Sequence, residues 1–165
     1  MKKTSNGFTL VELIVVIAII GVLAAIIVPS LMGYIHDSKL RAVNTNAKNV
    51  YQSVASLCTK NEAKTGESVT GRIKKGLSSG DAWKTGLPRP DDIDEELGSA
   101  SDYAYYIECV DGYPTVVFTA KTNKDLYVGS YPIEATEKCT RNLDQINEGV
   151  HYNKTQKAND AAVLG

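Results

Sequence analysis

Residues 7–29 read Gly-Phe-Thr-Leu-Val-Glu-Leu-Ile-Val-Val-Ile-Ala-Ile-Ile-Gly-Val-Leu-Ala-Ala-Ile-Ile-Val-Pro, and this stretch decides the class of the chain. Between Phe8 and Val28 only Thr9, Glu12 and Gly21 are not apolar. At a helical rise of ~1.5 Å per residue the segment reaches roughly 31 Å, about the hydrocarbon thickness of a bilayer. A helix apolar on every side needs a large protein or a membrane around it, and only about 135 residues follow. Lys2-Lys3 ahead of an apolar run, with Val22-Leu23-Ala24 further on, also fits a secretory signal peptide. Against that reading, the run continues through Ile26-Ile27-Val28, and Glu12 interrupts what should be a clean apolar region. An acid costs about 2.5–3.5 kcal/mol at mid-bilayer and less toward the interface, so Glu12 implies a partner.

Gly7-Phe8-Thr9-Leu10-Val11-Glu12, followed by an almost unbroken apolar run to Pro29, resembles the N-terminus of a type IV prepilin. The resemblance spans residues 7 to about 35. It implies that a dedicated prepilin peptidase cuts a short basic leader after Gly7 on the cytoplasmic face, and that Phe8, the new N-terminus, is N-methylated. Glu12, fifth from Phe8, falls on the family's assembly glutamate. Gly21 and Pro29 match its helix-loosening glycine and proline. The one departure is Asn6, where the family often has a base.

Outward from this stretch the composition is divided. The whole chain of 165 residues is 43% hydrophobic with a net charge of −1, which excludes charge-driven nucleic-acid binding and polyampholyte disorder. Residues 1–7 carry Lys2 and Lys3, residues 29–65 are net basic, and residues 66–165 are net acidic. Leu40, Val43, Ala47, Val50, Val54 and Leu57 recur at spacings of three and four, a one-sided apolar stripe from which Lys39, Asn44, Lys48 and Gln52 fall away. The helix therefore changes from apolar all round to apolar on one face, with a kink or local melting expected near residues 25–29 because Pro29 lacks a backbone donor.

Residues 60–102 read as a polar, glycine-rich connection, with Asp91 to Leu97 as a short helix stopped by Gly98. Asp111-Gly112 is a hairpin turn. Pairing outward from it sets Cys109 opposite Pro114, Ile107 opposite Val116 and Tyr105 opposite Phe118, one apolar face, with Glu108, Tyr106, Thr115 and Val117 on the other. Leu126 to Tyr131 reads as a third strand, and the tail from Pro132 is polar with few strand signals. The expected class is α+β: a long N-terminal α-helix, transmembrane and then amphipathic, packed on an antiparallel β-sheet, the pilin roll. The division is 1–7 leader, 8–28 transmembrane or filament-core helix, 29–59 amphipathic helix, 60–102 αβ-loop, 103–131 sheet and 132–165 C-terminal region.

No G-x-S-x-G, P-loop or H-E-x-x-H occurs, and neither His36 nor His151 has a carboxylate or cysteine at a site-like spacing. No catalytic or metal-binding residue and no cofactor is expected. The acids Asp91, Asp92, Asp94, Glu95 and Glu96 suit a helix N-terminus better than calcium. Tyrosines and Trp83 read as strand formers, the bases from Lys39 to Lys75 as a solvated face, and Asn153-Lys154-Thr155 fits a sequon by pattern alone. Three cysteines permit one disulfide in an oxidising compartment. Many pilins close their C-terminal region onto the sheet, so the resemblance puts Cys109–Cys139 first. Cys58–Cys109 comes second, since both should face the core.

Together these readings imply a structural subunit of a type IV pilus, not an enzyme, serving adhesion, motility or DNA uptake. Its partners would be copies of itself in a helical homopolymer, the prepilin peptidase, the assembly platform and the cytoplasmic membrane before assembly. The domain would lie outside, first membrane-anchored and then in an extracellular pilus. A minor pilin or a type II secretion pseudopilin is the alternative, and a secreted globular binding protein with a signal peptide is a further one.

Overall fold

A computed structural model of the chain describes residues 7–98 and 102–149. The leader up to Asn6, His151 and the sequon at Asn153 lie outside these residues. The chain divides into two units, Met1–Ser38 and Lys39–Gly165.

In the first unit, helix α1 (Leu10–Thr65) begins. Every described side chain from Gly7 to Ile35 is exposed, including the large apolar ones from Phe8 to Ile35. The helix continues without interruption through Gly21 and Pro29, so the melting expected at residues 25–29 is absent. Next to Pro29, the Ser30 hydroxyl donates to the Ile27 carbonyl at 2.8 Å.

In the second unit, α1 lies on a five-stranded antiparallel sheet built from β1 (Gly71–Lys75), β2 (Ala82–Trp83), β3 (Ala104–Val110), β4 (Tyr113–Ala120) and β5 (Gly129–Tyr131), in the order β2-β1-β3-β4-β5. The class is α+β, as the sequence implies. Asp111 and Gly112 both have positive φ, 50° and 77°, so the hairpin turn forms as read. Short helix α2 (Pro90–Leu97) ends at Gly98, also as read.

The hairpin register differs from the expected one beyond Pro114. Cys109 does face Pro114, but Ile107 faces Val117 and Tyr105 faces Thr119, because the ladder shifts between Glu108 and Cys109. Thr115 is the extra residue, and its hydroxyl donates to the Glu108 carbonyl at 3.1 Å. A one-residue bulge sends every later side chain to the opposite face. Val117 and Thr119 therefore meet α1, while Val116, Phe118 and Ala120 turn the other way.

Both faces of the sheet are consequently buried. Toward α1, Ala47, Val50, Val54 and Cys58 pack with Ile73, Tyr105, Ile107, Cys109 and Val117, joined by Leu87 and by Ile93 of α2. On the other face Tyr106, Val116 and Phe118 meet Val128, Cys139 and the residues Leu143 and Ile146 of helix α3 (Leu143–Gly149). Between Pro132 and Gly149, Cys139, Leu143 and Ile146 thus cover the sheet, where the sequence reads as a polar tail. Helix α3 starts at a reciprocal cap: the Asn142 amide donates to Gln145 Oε1 at 3.0 Å, and the Gln145 amide to Asn142 Oδ1 at 3.1 Å. Strands β1 and β2 lie inside the stretch read as a polar connection. Ile73 is the one fully buried side chain of β1, too little periodicity to announce a strand.

The helix stripe is also broader than its apolar residues. Asn44 is buried beside Val43, where the sequence pattern sets it off the stripe. Its Nδ2 donates to the Ala135 carbonyl at 2.7 Å, and its Oδ1 accepts from the amides of Ser130 at 3.1 Å and Ala135 at 3.2 Å. The Thr119 hydroxyl donates to the Val43 carbonyl at 2.8 Å. Gly129 passes so close that an added Cβ would overlap the Val43 carbonyl.

Candidate processing and assembly site

The residues singled out at the N-terminus are exposed within this chain. Gly7 and Phe8 precede the first helical turn, and Phe8 is 92% exposed. Helix α1 opens at Leu10, which makes Thr9 its N-cap and Glu12 its N3 residue. The Thr9 amide donates to Glu12 Oε2 at 2.8 Å and the Thr9 hydroxyl to the same oxygen at 2.7 Å, while the Glu12 amide donates to Thr9 Oγ1 at 3.3 Å. This is a capping box, and its signature, Thr-x-x-Glu, is legible in the sequence. The carboxylate therefore has local donors within its own chain. Both Thr9 bonds fall on Oε2.

Gly21 borders no side chain: a methyl there would meet nothing within 4 Å, so packing within this chain does not require the glycine. Ala18, Ile19, Val22 and Leu23 line an apolar groove of about 300 Å³ on the same exposed helix.

The three cysteines fall in two core layers. Cys58 and Cys109 share the core layer between α1 and the sheet, whereas Cys139 belongs to the opposite layer, its Sγ 3.8 Å from the Val128 carbonyl. All three thiols are free and buried. Interaction between the neighbouring Cys58 and Cys109 thiols raises Cys109 above the usual thiol range and lowers Cys58, while burial raises Cys139. Cys109, which alternates toward α1 along its strand, and Cys139 therefore lie on opposite faces of the sheet.

Of the acids in α2, Asp92 pairs with Arg89, Asp94 with Lys75 and Glu96 with Lys60. The hydrogen bond from Arg89 holds the Asp92 carboxyl below its ordinary range. An open polar cavity of about 500 Å³ lies between α2 and the end of α1, bordered by Lys60, Lys64, Asp92 and Glu95. Among the described residues no three His, Cys, Asp or Glu side chains come together as a metal site. His36 is half-buried on α1.

Residues 2–28 match the family described as the prokaryotic N-terminal methylation motif. The chain is similar to the type IV major fimbrial protein FimA of Dichelobacter nodosus, 36% identical over 81 residues, which cover 49% of this chain and 51% of that one. It is 47% identical over 47 residues to the type IV major pilin protein PilA of Myxococcus xanthus, covering 28% of this chain and 21% of that one. Over 33 residues it is 58% identical to the type II secretion system core protein G of Dickeya chrysanthemi, 20% and 22% of the two chains. The chain spans about half the length, or less, of these relatives. No solved structure matches it. In these stretches the chain is similar to type IV pilins and to a type II secretion core protein.

Proposed function

We propose that the chain is the precursor of a structural subunit of a type IV pilus. The observation that carries this reading is the unpartnered apolar helix surface from Phe8 to Ile35, which a bilayer covers before assembly and neighbouring α1 helices cover afterwards. Prepilin peptidase removes residues 1–7, Phe8 is N-methylated, and the subunit enters the filament from the assembly platform with its domain outside the membrane. The processed Phe8 amine is a cation whether or not it is methylated. Glu12 holds its Thr9 donors on Oε2, and in the filament it accepts the Phe8 amine of an adjacent copy on Oε1. An unpaired charge in that apolar core costs several kcal/mol, so the pair selects the stagger that matches it. Gly21 and Pro29 serve in the filament as points where the helix loosens. Adhesion, motility or DNA uptake follow from such a fibre, and none of them requires this subunit to be an enzyme.

A pseudopilin role is the second reading, favoured by the 58% identity over 33 residues to core protein G. Two substitutions test the proposal, in a strain with no wild-type copy. Gly7→Val should leave the leader attached and the subunit in the membrane. Glu12→Ala should permit insertion and cleavage but lower the ratio of filament to membrane-pool subunit after shearing at least several-fold. Normal processing of the first variant together with a wild-type ratio for the second would remove the pilin reading. Short periplasm-spanning fibres in place of long surface filaments would transfer it to the pseudopilins.

A further inference from the structure

We infer that Cys58 and Cys109 close a disulfide that ties the end of α1 to the central strand of the sheet, leaving Cys139 as a free buried thiol. This rests on the proposed placement of the domain outside the cytoplasm, where disulfides form and persist.

The helix supplies one half of the geometry. Val50, Val54 and Cys58 follow one another at i, i+4 and i+8 and enter the same core layer, so Cys58 is the last inward residue of the stripe on the sheet. The strand supplies the other half. Tyr105, Ile107 and Cys109 alternate toward α1, and Cys109 lies beside Gly71 of β1, which adds no side chain over it. The two side chains belong to one core cluster, and both residues are almost wholly buried, at 4% and 1% exposure. A disulfide needs Cβ atoms about 3.5–4.5 Å apart with converging directions. Cys139 fails that condition for either partner, because the sheet stands between it and both of them. The bulge at Thr115 shifts β4 and leaves β3 straight through Cys109, so it does not alter the direction of that side chain.

The chemistry is thiol–disulfide exchange during folding, before the pair is enclosed. One cysteine thiolate attacks a sulfur of an oxidant disulfide, carried by a protein oxidoreductase or a small thiol, and forms a mixed disulfide. The second thiolate then displaces the oxidant sulfur. Two electrons pass to the oxidant, which leaves as two thiols carrying the two protons, and one S–S bond joins residues 58 and 109.

The full chain is isolated in detergent from a host that exports it, alkylated with N-ethylmaleimide under denaturing conditions with and without prior reduction, and weighed intact. One adduct before reduction and three after, with peptide mapping that links residues 58 and 109, is the expected result. Cys139→Ser should keep the link and lose the single adduct, while Cys58→Ser should give two adducts and no link to Cys139. A link that includes Cys139 in the wild-type chain overturns the inference. The same chain, reduced, unfolded in urea and refolded in a glutathione mixture, separates the two premises. Failure to close the 58–109 pair there means that the geometry is wrong. Closure there, with three free thiols in the chain taken from cells, overturns the disulfide in the cell and puts the fault in the proposed placement of the domain.

Discussion

Asn44 and Asn46 stand two residues apart on α1, both buried, at 7% and 8% exposure, and alanine should affect them very differently. Asn44 satisfies three backbone groups of the opposing segment: the Ala135 carbonyl and the amides of Ser130 and Ala135. Ser130 and Ala135 are themselves 2% and 4% exposed, so water does not replace the lost side chain without local opening. A buried backbone group left unpaired costs about 1–3 kcal/mol. With all three orphaned and the segment partly relaxing, Asn44→Ala should cost on the order of 3 kcal/mol, a large share of the ~5–15 kcal/mol that holds a domain together. For a domain near 100 residues that is roughly a 12 °C fall in Tm. Asn46, by contrast, buries an Nδ2 with no hydrogen-bond partner among the described residues. Its replacement by alanine removes an unsatisfied donor along with some packing, and should change stability by less than about 1 kcal/mol. The assay is urea unfolding of the detergent-held chain, followed by the near-ultraviolet dichroism of the buried tyrosines Tyr105 and Tyr106. Equal losses for the two variants would refute the reasoning, since burial alone would then account for both.

Two further outcomes concern Gly129, beside the same helix turn, and Asp144, on the other face of the sheet. Gly129→Ala forces a methyl group into the Val43 carbonyl, backbone against backbone, and should destabilise the domain by more than about 3 kcal/mol, read as loss of folded chain in the same assay. Asp144 is raised by burial but lowered further by hydrogen bonds from the Ser78 hydroxyl and amide and from Asn123, so its net shift is downward. A lowered carboxyl binds fewer protons folded than unfolded, so its contribution is present above the unfolded pKa and is lost as pH falls through the folded one. Asp144→Asn should therefore flatten the loss of stability with acid below about pH 4, measured as urea midpoints on a pH series. An unchanged slope would place the acid sensitivity elsewhere.

How much of this was legible before the structure depends on the kind of signal each element carries. The apolar run to Val28, the stripe to Val54 and the Asp111-Gly112 turn are repeated or strongly typed patterns, and each appears where it is read. Strand β1 has one buried side chain, and a single residue has no period. Thr115 defeats the register because a bulge is a decision of the paired ladder, not of either strand alone. Once that slip is allowed for, the second apolar face appears, and with it the reason why the polar-looking end of the chain carries Leu143 and Ile146 as a cover. The caps at Thr9–Glu12 and Asn142–Gln145 were readable as four-residue motifs. They are easily passed over when Glu12 is sought for its charge and the tail is judged by its average polarity.

Asn44 illustrates a different limit. A hydrophobic stripe sorts residues by polarity, so a side chain that belongs to the interface because it is polar is discarded by the same test that finds its neighbours. The stripe itself, Val43, Ala47, Val50 and Val54, is made of small, similar side chains. Apolar contact of that kind is non-directional, and a helix resting on it alone could shift by a turn at modest cost. The three bonds of Asn44, the Thr119 bond to Val43 and the close passage of Gly129 are directional or steric, and each is satisfied at one register only. Within the Lys39–Gly165 unit, burial supplies the attraction between helix and sheet, and this polar latch supplies the alignment.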